Sequence, residues 1–309
     1  MDESVEPFRR RWFEVPGGRM AAIAFGADTP SPDIIFLHAT GFNARTYRAL
    51  LAPLGDRFHV LAVDMRGHGR TDLPARLFGY GSWRRHRDDL IALIEQHMSA
   101  PVTLAGHSMG AVVSLLVAAK RPDLTSGLAL IEPVILPPTA YALAELPLGP
   151  LLGRFATPIA RSARQRRARF SDRSAALQAY AGRSVFKAFS PEVLEDYVAD
   201  GFVDAPGGGV RLACTPAFEA ATFAAQRNNP WAALRKVTDP MVLLRAERQS
   251  TISLAAMHRL AAIKPDARVA TVEGATHMLP MERPDRVRAA IESVALMGRA
   301  GRKYHDALE

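Results

Sequence analysis

Along the first 135 residues, short apolar runs rich in β-branched side chains alternate with longer stretches whose apolar positions recur at helical spacing. The short runs read as strands at Arg11–Val15, Met20–Phe25, Ile34–His38, Val60–Asp64, Val102–Gly106 and Leu128–Ile131, the first two joined by a Pro16-Gly17-Gly18 turn. Helical spacing covers Thr46–Leu54, Trp83–Met98 and Met109–Lys120. The last of these stops at Arg121-Pro122, where proline lacks an N–H and crowds the preceding turn. Such alternation predicts an α/β chain, a mostly parallel sheet flanked by helices.

Beyond Glu132 the rhythm is lost. Pro133, Pro137, Pro138, Pro147 and Pro150 interrupt the chain, and an Ala-, Arg- and Leu-rich region follows in which no strand is evident. Gly207-Gly208-Gly209 divides that region with a turn. Thr215-Pro216 offers a helix start, a capping hydroxyl followed by proline at the first helical position. Strand pattern returns at Pro240–Arg245 and Arg268–Val272, and a last helix is expected from about Pro284 to Met297. Residues 1–136 and 236–309 are therefore expected to form one core, with 137–235 inserted at the strand ends as a helical cap.

Composition narrows the class. At 48% hydrophobic the 309 residues can bury a sizeable core, and the longest apolar stretches fall short of the ~20 residues that cross a bilayer. A single cysteine, Cys214, and the absence of a signal-peptide pattern lead to the expectation of a reducing, cytoplasmic setting. The net charge of +8 would suit a polyanion partner. Much of the excess, however, lies in Arg154, Arg161, Arg164, Arg166, Arg167, Arg169 and Arg173, without zinc-finger spacing, an RNP motif or interleaved aromatics. That cluster reads as a solvated helical face, or as the rim of a site for an anionic small molecule, rather than a nucleic-acid surface. No H-E-x-x-H, C-x-x-C or P-loop occurs, so neither metal nor cofactor is expected. Nothing in the sequence fixes the oligomeric state.

The strongest chemical signal is Gly106-His107-Ser108-Met109-Gly110 between a strand-like and a helical run. A serine on so sharp a turn exposes its hydroxyl above the sheet, and the flanking glycines permit the close backbone approach. Three further stretches accompany it: Phe36-Leu37-His38-Ala39-Thr40-Gly41-Phe42, Asp64-Met65-Arg66-Gly67-His68-Gly69-Arg70-Thr71, and Gly274-Ala275-Thr276-His277-Met278-Leu279-Pro280-Met281-Glu282-Arg283-Pro284. In this order and spacing, the four motifs resemble those of the α/β-hydrolase family. The resemblance spans the core but not the cap, and implies an eight-stranded, mostly parallel sheet. It also implies Ser108 as nucleophile, His277 as general base, and the backbone N–H groups of Thr40 and Met109 as an oxyanion hole. The family's H-G pair is His38-Ala39 here. His38, His68 and Asp64 read as loop-bracing residues, and His107 as a packing residue.

The triad acid is the departure. The family usually places an aspartate in the loop that here reads Leu244-Arg245-Ala246-Glu247-Arg248-Gln249-Ser250-Thr251-Ile252-Ser253, which has none. Glu132 is the first candidate, since some relatives, haloalkane dehalogenases among them, carry a triad carboxylate after that strand, and Pro133 should hold it extended. Glu247 is the alternative acid, and absence of any acid a third reading. A serine rather than a carboxylate at the elbow disfavours epoxide-hydrolase and dehalogenase chemistry. The expectation is a serine hydrolase of a small to medium, largely apolar ester or thioester, acting through an acyl-enzyme. Two alternatives stand beside it: a C–C bond hydrolase or lyase using the same Ser/His pair, and a hydrolase-like ligand-binding sensor with slow turnover.

Overall fold

The computed structural model describes residues 8–146 and 158–306, so Pro147, Pro150 and Arg154 lie outside the described residues. Six strands come first: β1 (Arg9–Val15), β2 (Gly18–Phe25), β3 (Ile34–Leu37), β4 (Val60–Val63), β5 (Val102–His107) and β6 (Thr125–Ile131). Next come β7 (Arg169–Phe170), β8 (Phe202–Asp204) and β9 (Val210–Leu212), followed by β10 (Met241–Ala246) and β11 (Arg268–Val272).

The core strands make an eight-stranded sheet in the order β1-β2-β4-β3-β5-β6-β10-β11, in which β2 runs against both its neighbours and the other pairings are parallel. The central strands β3 and β4 are buried at every position, as expected where helices cover both faces of a parallel sheet. One face is covered by α1 (Arg84–His97) and α2 (Met109–Lys120), whose apolar sides join Ile35, Leu37 and Leu104 in one cluster.

Register positions the chemistry. Leu37 pairs with Gly106, His107 with Ile131, and Ile131 with Leu244, so β3, β5, β6 and β10 end together at one edge. In open parallel sheets the crevice beyond the carboxyl ends of the strands is where ligands bind.

Between β6 and β10 the chain leaves the sheet for α3 (Pro138–Glu145), α4 (Pro158–Arg164), α5 (Arg173–Tyr180), α6 (Pro191–Gly201), α7 (Pro216–Ala224) and α8 (Pro230–Leu234). Thr215 caps α7 as expected, accepting from Phe218 N at 3.3 Å with Pro216 at the first helical position. The expectation of no strand in this region is corrected: β7, β9 and β8 form a small antiparallel sheet, and Gly207-Gly208-Gly209, all at positive φ, turn its hairpin. Strands of two and three residues are too short for a two-residue period to register. The expected Thr46–Leu54 helix is also corrected, since Pro53 and Gly55 confine it to one α turn, Arg48–Leu51, between two 3-10 turns. After β10 come α9 (Leu254–Ile263), α10 (Leu279–Glu282) and α11 (Pro284–Asp306), the last running past the expected end at Met297. Among the described residues, no helix is long and apolar enough to cross a membrane.

Candidate active site

Ser108 sits between β5 and α2 at φ 56° and ψ −114°, a conformation L-residues rarely adopt. Its neighbours explain how the turn closes. A Cβ on Gly106 would lie 2.5 Å from the Gly110 carbonyl carbon, and one on Gly110 would lie 2.3 Å from the Leu37 carbonyl oxygen. Both glycines are needed for backbone to meet backbone here.

His277 arrives from the loop between β11 and α10, 169 positions along the chain, with Nε2 3.1 Å from Ser108 Oγ. The loop is pinned by Glu282, whose carboxylate accepts from Thr276 N at 2.6 Å and Thr276 Oγ1 at 2.9 Å. His277 Nδ1 lies 2.9 Å from Glu132 Oε2. Serine, imidazole and carboxylate thus stand in one hydrogen-bonded row.

Glu132 is fully buried. Its carboxylate is surrounded by donors: Ala246 N, Ser250 Oγ at 2.7 Å, Thr251 N at 3.2 Å and His277 Nδ1. The loop without an aspartate therefore supplies donors to a carboxylate that comes from the neighbouring strand. The expectation that Pro133 keeps Glu132 extended is corrected, since Glu132 has φ 49°. Its N–H still bonds Leu244 O at 2.8 Å, and the Thr251 hydroxyl bonds both the Glu132 and Pro133 carbonyls, which together hold the unusual turn. Glu247 is exposed and turned away from His277, accepting instead from Gly274 N at 2.8 Å.

Thr40 follows β3 and lines the cavity beside Ser108, and its hydroxyl contacts Met109 Sδ at 3.4 Å. The Ala39–Thr40 peptide is oriented through its carbonyl, which accepts from His38 Nδ1 at 2.8 Å and Phe42 N at 3.1 Å. A trans peptide then aims the Thr40 N–H the opposite way. Met109 is the first residue of α2, where amides have no intrahelical acceptor. His38 Nε2 accepts from Met65 N, His68 Nε2 accepts from Gly41 N, and Asp64 accepts from Ala44 N and Arg70 N, so all three hold loops together. Burial lowers both imidazole pKa values, that of His68 to about 4. His107 does more than pack: its two ring nitrogens bond the Tyr47 hydroxyl and the His277 carbonyl.

Two cavities of about 790 and 540 Å³ meet at Ser108 and His277. The larger is walled by Val134, Leu136, Val185 and Phe223, with Lys187 and Gln249 as polar points. The smaller reaches Arg166, Arg167 and Arg183. Of the arginine cluster, Arg161, Arg164, Arg167, Arg169 and Arg173 are exposed, whereas Arg166 turns inward. Arg166 Nη1 donates to both Glu219 oxygens at 2.6 Å, and Nη2 to the hydroxyls of Tyr197 at 2.7 Å and Tyr180 at 3.2 Å. Burial raises the Glu219 carboxyl pKa and the Arg166 charge opposes that rise. Ser250, Thr251, Tyr47 and Arg166 are the contributors that sequence motifs alone do not mark.

The chain matches the family model described as "Alpha/beta hydrolase family" over residues 34–290. It is 30% identical over 266 residues to the 2-(acetamidomethylene)succinate hydrolase of Mesorhizobium japonicum, covering 84% of this chain and 86% of that protein. It is also 30% identical over 104 residues to the (E)-2-((N-methylformamido)methylene)succinate hydrolase of Acinetobacter baylyi, covering 33% of this chain and 37% of that one. The crystal structure of E-2-(acetamidomethylene)succinate hydrolase superposes with a TM-score of 0.76 at 28% identity, covering 93% of this chain and 98% of that chain.

Proposed function

The chain belongs to the alpha/beta hydrolase family, and from that premise we propose that it hydrolyses a small carboxylate-bearing substrate through an acyl-enzyme on Ser108. The observation that carries the reading is the row Ser108 Oγ, His277, Glu132 at 3.1 and 2.9 Å on the floor of the joined cavities. His277 Nε2 takes the hydroxyl proton as Oγ adds to a substrate carbonyl carbon. The Thr40 and Met109 N–H groups receive the developing oxyanion, each such donor contributing about 3 kcal/mol. Glu132 holds Nδ1–H and balances the imidazolium, which then protonates the leaving group, and water repeats the cycle to release the acid. In this reading residues 137–235 act as the cap that walls the substrate.

The comparisons favour the C–C bond hydrolase or lyase alternative over the plain ester. Both named relatives act on succinates bearing an acylamino-methylene group, so their substrates are dicarboxylates and not apolar esters. A cavity reaching Arg167 and Arg183, beside the Arg166–Glu219 pair, suits such charge. The reaction we assign is accordingly the same Ser/His pair acting on a carbonyl whose leaving group departs through carbon or nitrogen, where proton delivery by His277 matters more than for an alkoxide.

The test is a substrate panel with purified protein: 2-(acetamidomethylene)succinate, carboxylated vinylogous diketones, and uncharged acyl and aryl esters. Carboxylated non-ester substrates should exceed the esters in kcat/KM by about tenfold or more, each arginine contact supplying at least ~1.4 kcal/mol. Ser108→Ala should lower turnover on the order of 10⁴-fold or more. Preference for uncharged esters would restore the ester reading. Labelling of Ser108 by a fluorophosphonate with no turnover of any substrate would favour the sensor.

A further inference from the structure

Behind the Ser108 turn lies a buried hydrogen-bond chain that the proposed chemistry does not use directly. Ala39 N is 3.1 Å from Tyr47 Oη, Tyr47 Oη is 2.8 Å from His107 Nδ1, and His107 Nε2 is 2.8 Å from the His277 carbonyl oxygen. Tyr47 is 1% exposed and His107 0%, so both side chains are shielded from water.

The two ends dictate the direction of every bond between them. A carbonyl can only accept, so the hydrogen must be on His107 Nε2. Burial, with the nearby His277 charge adding to it, holds the His107 pKa well below the ordinary imidazole value, so this ring carries one hydrogen. Nδ1 is then a lone pair, and Tyr47 must donate to it. Burial raises the Tyr47 pKa, which keeps the phenol protonated for that purpose. A backbone N–H can only donate, and Ala39 gives its hydrogen to the oxygen lone pair of Tyr47. Every donor meets an acceptor, and no rotamer flip or tautomer change preserves that pairing.

The chain joins the two parts of the site that must be in register. Ala39 immediately precedes Thr40, which offers the oxyanion N–H, and His277 is the proposed base. We infer that Tyr47 and His107 are positioning residues that tie the oxyanion loop to the backbone of His277, fixing the span between the oxyanion donor and Nε2. The inference rests on the Ser108 and His277 assignment above, and its test separates the two.

The experiment measures fluorophosphonate labelling of the full chain, recording both the fraction of Ser108 that labels and the second-order rate constant per labelled site. Wild-type protein, Ser108→Ala, Tyr47→Phe, His107→Leu and His107→Gln are compared. Tyr47→Phe and His107→Leu should keep the labelled fraction near one while slowing the rate about tenfold to hundredfold, the scale of a sub-ångström to ångström misplacement. Because they cut the same chain, the double variant should lose little more than either single one. His107→Gln, whose amide keeps a donor for the His277 carbonyl, should recover most of the rate. A purely structural role would lower the labelled fraction and leave the rate per site unchanged. That result, or additive losses in the double variant, overturns the inference. Tyr47→Phe preserves volume and so keeps the question answerable if His107→Leu does not fold. Failure of wild-type protein to label at all would remove the Ser108 assignment itself, and the inference with it.

Discussion

Four donors converge on the Glu132 carboxylate, and that count governs what substitution does there. An amide at the same place brings an NH₂ into a ring of donors, so at least one contact becomes donor against donor. If the amide oxygen faces Ala246 and Ser250, the NH₂ faces His277 Nδ1 and drives the imidazole to the wrong tautomer. Glu132→Gln should therefore lower kcat by about 10²- to 10⁴-fold, and leave KM within a few-fold. Glu247→Gln, at an exposed carboxylate bonded to Gly274 N, should change kcat by less than about twofold. Steady-state kinetics on any turned-over substrate decides the matter, and the opposite ranking would transfer the acid role to Glu247. The sequence made Glu132 a candidate through its place after a strand. The four donors were illegible, because Ser250 and Thr251 read as residues lacking the required charge, whereas the loop has become the holder of a carboxylate borrowed from β6.

At the scale of elements, α6 is tied to the sheet side of the molecule by buried ion pairs. Two aspartates one turn apart, Asp196 and Asp200, lie on its buried side, an i,i+4 pair of like charge that would be costly without partners. Core arginines provide them: Asp196 meets Arg45 at 2.9 Å and Arg48 at 2.7 Å, and Asp200 meets Arg10 and Arg70, each at 2.7 Å. Asn43 Nδ2 adds a bond to the Tyr197 carbonyl at 3.0 Å. Asp196→Asn removes a buried charge while Arg45 and Arg48 keep about a fifth of their surface in water, side-chain exposures of 21% and 18%. The loss should thus be about 1–3 kcal/mol, below the ~3–5 of a fully buried broken pair. Hydrogen exchange should show faster opening of α6, β8 and β9 with β3 to β6 still protected. Uniform loss of protection across the sheet would mean that insertion and core unfold as one unit. These elements also mark where periodicity stops being informative. The strand and helix alternation of the core was readable because each run spans a full layer, but β7, β8 and β9 are only two or three residues long, and β7 is set by pairing with β9, far along the chain. Gly298 lies inside α11, where a Cβ would come within 2.7 Å of the Ser126 carbonyl oxygen, so the helix packs closely there.

Across the whole molecule, burial of ionisable groups couples the fold to pH. His38, His86 and His107 are held well below the ordinary imidazole range and His68 near 4, in every case chiefly because burial disfavours the charged ring. Such groups have folded pKa values below those of the unfolded chain, so the unfolded chain binds more protons between about pH 4 and 6.5. Their contribution is complete above ~6.5 and is lost as pH falls through that window. Asp64 opposes them. Burial first, and then the charge of Asp200, raises its pKa to about 7, so its contribution is present at low pH and declines as pH rises towards neutrality. Burial also raises Asp89, Asp196, Glu219 and Asp239, but an ion pair or hydrogen bond opposes the rise in each; with His59 lowered as well, the imidazoles set the sign between pH 5 and 6.5, and stability should fall on acidification. Urea unfolding at pH 7.0 and 5.5 should show a lower midpoint at the acid value. His86 isolates one proton of the effect, since among the described residues its buried Nδ1 has no hydrogen-bond partner, and its Nε2 bonds the Tyr80 hydroxyl at 2.6 Å. His86→Leu should flatten the dependence by up to about 1.4 kcal/mol per pH unit. A midpoint that stays level or rises from pH 7.0 to 5.5 would show that Asp64 and the other buried carboxyls outweigh the histidines.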